Sequence, residues 1–230
     1  MSHQIHRKFA LIAFLLASTL TPCVQAANLS DIFNGAMLGT TQRYFESVAG
    51  IPRESFGNIH TFDVEECQVQ ATINGEQVTA MRLELTPKCQ AELSSFIHDY
   101  APRAPTFPFG LFEEPLTFGE FDKAAGAMRY FANCLSRCGN AYDPSVYAYW
   151  EGPRAADFME VMLETVLVGD EAIDAANVWQ EHMAQAMGED YIMNTRFNCD
   201  GRFDSVANQA FKDVPVTAVS IGRGLRTPGC

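Results

Sequence analysis

Two cysteines stand four residues apart in the stretch 133-NCLSRCGN-140, Cys134 and Cys138. Closely spaced thiols hold a metal, cycle electrons or enter disulfides. A structural zinc site recruits four ligands, usually as two close pairs, and no second close pair exists here. A thioredoxin-type dithiol has two residues between its cysteines, whereas three stand between these. Disulfides remain, and whether they form depends on the compartment.

Other chemistry is sparse. The chain lacks HExxH, GxSxG, a phosphate-binding P-loop, a GxGxxG fingerprint and an EF-hand loop. Past the N-terminal leader only His60, His98 and His182 remain as histidines. A hydrolase would have Glu151, Glu160 and Glu164 to use as acid or base, with His98 or His182, but the spacing brings no two of them together. The segment 199-CDGRFD-204 offers Asp200 and Asp204, and two carboxylates are too few for calcium; Asp-Gly is first a turn. No catalytic residue, metal ligand or cofactor is therefore assigned.

The compartment is written at the N-terminus. Arg7 and Lys8 precede an apolar run from Ala10 to Leu20, and Val24-Gln25-Ala26 fits a signal-peptidase site. The run is too short to span a bilayer, and no other segment reaches the ~20 apolar residues a membrane helix needs. We expect cleavage after Ala26 and an exported, soluble chain without a membrane span, periplasmic or secreted. Acylation at Cys23 would want Gly or Ala before it, and Pro22 stands there.

Cleavage leaves six cysteines, Cys67, Cys89, Cys134, Cys138, Cys199 and Cys230. An even number in an exported chain reads as three disulfides, which also removes any thiolate nucleophile. The leader carries two of the 16 Lys+Arg and none of the 28 Asp+Glu, so 14 basic residues face 28 acidic ones and the net charge is −14. Phosphate backbones require clustered cations, which excludes nucleic acid as a partner.

The elements divide into two units, residues 27–100 and 117–230, joined at 101–116. In the first, Thr40 to Ala49 reads as a helix, capped by Thr40 or Thr41 and stopped by Gly50. Asn58 to Val64, Cys67 to Ile73 and Met81 to Leu85 read as strands, the last two by strict alternation around an Asn74-Gly75 turn. Cys67 and Cys89 flank that hairpin and are expected to pair. The joint, 101-APRAPTFPFGLFEEPL-116, holds four prolines, too many for a helix or a central strand.

In the second unit, apolar residues recur at helical spacing from Phe118 to Leu135 and predict one helix over 117–137, ending at CLSRC. On such a helix Cys134 and Cys138 share a face and reach elsewhere, so we expect them to fasten Cys199 and Cys230. Ser145 to Trp150 reads as a strand. Residues 155–168 fit either a strand or a helix and tip towards strand. Asp170 to Met187 and Phe203 to Phe211 read as helices, and Val214 to Ile221 as the last strand.

The fold class is therefore α+β: a helix plus antiparallel meander, then a mixed helix/strand unit, stapled by disulfides. The two units can pack as one domain. Function is expected to be binding to another macromolecule, most simply a protein, as an inhibitor, accessory or envelope-associated factor. The aromatics Phe107, Phe109 and Phe112 of the joint and Tyr147, Tyr149 and Trp150 of the VYAYW strand are the candidate contacts. A carboxylate hydrolase and a small-ligand carrier with an aromatic-lined pocket are the alternatives.

Overall fold

A computed structural model describes residues 27–103, 115–136, 138, 144–193 and 198–227. The leader, the aromatic joint with Phe107, Phe109 and Phe112, and Cys230 lie outside the described residues.

The chain opens with a short helix α1 (Leu29–Ile32) and then α2 (Gln42–Ala49). Thr41 caps α2 through its hydroxyl, which accepts from the Tyr44 N–H. Four strands follow: β1 (Glu54–Phe56), β2 (Ile59–Val64), β3 (Cys67–Asn74) and β4 (Gln77–Glu84). A turn of helix, α3 (Ser94–Ile97), leads towards α4 (Phe118–Ala125). Strands β5 (Arg129–Ala132), β6 (Ser145–Glu151) and β7 (Glu160–Val166) form a second meander. The long α5 (Asp170–Met187), a turn α6 (Glu189–Ile192) and α7 (Asp204–Phe211) precede β8 (Ala218–Gly222).

All eight strands form one antiparallel sheet in the order β1-β2-β3-β4-β8-β7-β6-β5. The last strand enters between β4 and β7, so the two meanders share a single sheet. Side chains alternate between its faces. One lateral row, Phe62, Val69, Leu83, Val219, Leu163, Ala148 and Tyr130, crosses seven strands and is wholly buried. Helices cover this inner face. Phe45 of α2 packs on Phe62, Phe118 of α4 and Phe211 of α7 pack on Tyr130, and Trp179 of α5 meets both Tyr130 and Phe211.

Two turns carry backbone strain. The β3–β4 loop is Gly75-Glu76, both at positive φ, one residue later than the Asn74-Gly75 expected. Asn74 instead donates to Thr79 and accepts from Asn58. The β2–β3 loop is Glu65-Glu66, with φ of 50° and 70°, where glycine and asparagine are the natural occupants. Glu65 accepts from the Leu29 N–H at the start of α1, and Glu66 pairs with Lys88. Left-handed backbone costs a non-glycine residue about 1–2 kcal/mol, and the exposed Glu66–Lys88 pair returns little of that. Glu66→Gly is therefore expected to raise stability by about 0.5–1 kcal/mol, read as a higher urea midpoint at unchanged slope.

Cys67 bonds Cys89, as the hairpin implies. Cys134 bonds Cys138, which overturns the expected pair of anchors to the C-terminal segment. The helix supposed to carry CLSRC ends at Ala125, because Gly126 adopts a φ of +95°. Arg129–Ala132 is a strand, so Cys134 and Cys138 lie in the β5–β6 connection, free to approach to 5.6 Å between Cα atoms. Cys199 is disulfide-bonded too. Chain-entropy arguments give a bridge spanning 22 positions about 3 kcal/mol and one spanning four about 2 kcal/mol. Cys67 and Cys89 are also buried, so Cys67→Ser with Cys89→Ser is expected to cost more than Cys134→Ser with Cys138→Ser. Thermal melts of the two double variants would rank them.

Candidate functional site: the outer face of the sheet

The opposite face of the sheet has a different character. Its central row is Glu54, Thr61, Gln70, Arg82, Ser220, Met162, Tyr149 and Arg129, one residue from each strand. The apolar core is built on the inner row, and buried residues such as Ala80, Phe131 and Ala218 stand apart from it on this outer side.

At the centre lies Arg82. Its Nε and Nη2 donate to Glu164 Oε2 at 3.3 and 2.9 Å, and its Nη1 donates to Glu84 Oε1 at 3.0 Å. Burial works against the guanidinium charge. The field and hydrogen bonds of Glu164, with those of Glu84, more than offset it and raise the group above its ordinary value. The second Glu164 oxygen accepts from the Ser145 hydroxyl at 3.0 Å. Strands β4, β6 and β7 are thereby cross-tied through one carboxylate.

Beside Arg82 an open groove of about 390 Å³ runs between the β1–β2 hairpin and residues 223–226. Gln70, Thr72, Arg82, Met162 and Ser220 contribute to its lining, with Ile59 at one end. The other wall is a strap that follows β8. Arg223 donates to Asp157, and the Leu225 N–H donates to Glu160. Phe56, opposite Ile59 across the hairpin, is 82% exposed, and Ile51 just before β1 is 92% exposed.

The aromatics of the VYAYW strand divide between the faces. Tyr147 and Tyr149 are on the outer side, half-buried. Burial, foremost, and the nearby charges of Glu160 and Glu151 push the Tyr149 phenol up to about 12, so it remains a hydrogen-bond donor. Trp150 points into the core, where its indole N–H donates to the Ala125 carbonyl and its ring meets Phe121 and Tyr100.

The carboxylates of the hydrolase alternative are also placed. Glu151 and Glu160 oppose each other across β6 and β7, and Glu164 is four residues further along β7 on the same face. Glu164 holds Arg82 and Ser145, and Glu160 holds the strap, so both serve to tie backbone and side chains together. His182 is exposed on α5, whose buried side packs on the inner face, which leaves the sheet between it and these carboxylates. His98 is exposed after α3, and His60 hydrogen-bonds Ser55 on the β1–β2 hairpin. Asp204 accepts from the Tyr130 N–H and the Asn198 amide, while Asp200 pairs with Arg202, so the CDGRFD acids are separately engaged. No group of three His, Cys, Asp or Glu side chains among the described residues could hold a metal ion, and no described helix is long and apolar enough to cross a membrane.

Sequence reasoning missed Arg82, Phe56 and the strap. Strand alternation does put Arg82 opposite Met81 and Leu83, but the neighbouring strands that make it central are distant in sequence. No family model matches the chain, and no curated protein or solved structure is significantly similar to it. The outer face therefore has to be read from its own chemistry.

Proposed function

We propose that this is an exported, disulfide-stabilised, non-catalytic protein that binds another protein through the outer face of its sheet. One observation carries the reading. Helices bury one face of the sheet, whereas the other presents a groove with Ile59 in its lining and, across the hairpin from Ile59, the exposed Phe56. Large apolar side chains held in water beside a groove rich in hydrogen-bonding groups mark a surface that another molecule covers. The groove opens to solvent between the β1–β2 hairpin and the strap, and a polar lining of this kind suits a segment of a macromolecule. The leader-like N-terminus and the disulfide framework support export to an oxidising compartment.

The test is a photo-crosslinking amino acid at Thr72 on the outer face or at His182 on the helical side of the full chain. Crosslinking in the native envelope is expected to give a discrete adduct from position 72 and none from 182. Phe56→Asp should reduce the adduct by about tenfold, as loss of an aromatic anchor does at an interface. Equal labelling from both positions would refute the assignment of the face.

A further inference from the structure

We propose that the groove receives an extended acidic segment of the partner protein. This deepens the outer-face reading and rests on it. The groove is lined by Arg82, Arg223 and Arg226 and by no Asp or Glu, in a chain with 28 acidic and 16 basic residues. The three cations are not equally committed. Arg82 gives three of its five N–H groups to Glu164 and Glu84 and is half-buried on the floor. Arg223 holds Asp157 from the strap. Arg226 is exposed and has no ion pair among the described residues.

The backbone groups of the floor are already paired with neighbouring strands, so an occupant is read by side chains. Gln70, Thr72 and Ser220 offer amide and hydroxyl groups, and Ile59, Met162 and Leu225 offer apolar contact. An extended peptide directs alternate side chains to the same side at a rise of about 3.3 Å per residue. Carboxylates at alternate positions then meet the strap arginines, and apolar residues between acidic ones meet Met162 and Ile59. Glu164, Glu84 and Asp157 already compensate Arg82 and Arg223, so among the described residues of the groove Arg226 supplies the free charge that anchors a carboxylate, and the chain's negative charge disfavours docking elsewhere.

The experiment uses the full exported chain and short labelled peptides that alternate Glu with Leu and Thr, with Gln or Lys in place of Glu as controls. Anisotropy titration is expected to show binding of the Glu peptide, with the Gln and Lys peptides at least about tenfold weaker. Arg223→Glu with Arg226→Glu should weaken the Glu peptide about tenfold, since arginine is a preferred interface anchor. Lys212→Glu, an exposed cation after α7, should leave it unchanged. Equal binding of Glu and Gln peptides, or equal loss with Lys212→Glu, would overturn the proposal. So would an oligomer of a uronic acid binding through Arg226 where the peptide does not. If crosslinking from Thr72 still traps a partner while the acidic peptide fails to bind, the docking face stands and the acidic segment falls. If Thr72 traps nothing, the docking face itself falls.

Discussion

Gly222→Ala is expected to be among the most destabilising single-methyl additions this chain can suffer. Gly222 ends β8, opposite Ala80 on one side and Glu160 on the other. A Cβ there would lie 2.4 Å from both the Ala80 Cα and the Thr79 carbonyl oxygen. These are backbone atoms, so no rotamer change relieves the clash. The backbone is also at φ +156°, a region that L side chains rarely adopt. Strain and overpacking together cost about 2–4 kcal/mol. The site matters because β8 is the strand that joins the two meanders, through five register pairs to β4 and five to β7. The residue after it, Arg223, donates its N–H to the same Thr79 carbonyl and starts the strap. Urea unfolding should show the loss as a lower midpoint, and binding at the groove should weaken with it. Gly169→Ser, at the uncapped start of α5 where a Cβ meets nothing, should change stability by less than about 0.5 kcal/mol. A Gly222→Ala chain as stable as the parent would refute the close approach of β4 and β8.

Why these features differ in legibility follows from the range of the interactions. The β3–β4 hairpin was readable because alternation and an Asn-Gly pair are local signals, and Cys67–Cys89 followed from the hairpin's geometry. Residues 160–166 were readable as a strand from Val161, Leu163 and Thr165, which do face the core. The stretch 117–137 misled because Phe118, Phe121, Ala125 and Met128 keep helical spacing through a helix end. Gly126 was the contrary signal, and Tyr130-Phe131 after it favours a strand. Once that strand is in place, Cys134 and Cys138 become hairpin neighbours. The outer face was least legible. Arg82 gains its meaning from Glu164, 82 positions away, and the groove needs β8 inserted between β4 and β7. Nothing local in the sequence encodes that insertion.

The two edges of the sheet suggest the second large effect. Edge strands expose unpaired N–H and C=O groups that invite other chains to pair. At β5 both outward groups of Tyr130 are taken by side chains. Its N–H donates to Asp204 Oδ1 at 2.8 Å, and its carbonyl accepts from Asn198 Nδ2 at 2.8 Å. Asn198 is fully buried at φ 58°, a conformation asparagine tolerates better than most residues. Its amide also donates to Asp204, and its oxygen accepts from the Phe203 N–H at 2.8 Å. Asn198→Leu keeps the approximate volume and strands the Tyr130 carbonyl and the Phe203 N–H. Each orphan costs about 1–3 kcal/mol, so the variant is expected to lose about 3 kcal/mol or more and to aggregate through the uncovered edge. Asp204→Asn should behave oppositely, because its amide oxygen can still accept both bonds. Burial raises the Asp204 carboxyl above its ordinary value against the pull of those hydrogen bonds. A carboxyl that holds its proton more tightly when folded adds stability below its unfolded value and loses it as pH rises through the folded one. The parent therefore bears a cost at neutral pH that Asp204→Asn removes. Stability measured from neutral pH down to pH ~3 should show the Asn variant ahead at neutral pH and the two curves converging in acid. A gap that widens on acidification would mean that the carboxylate is stabilised in the fold, and that Asn198 and Tyr130 grip it more strongly than burial opposes it.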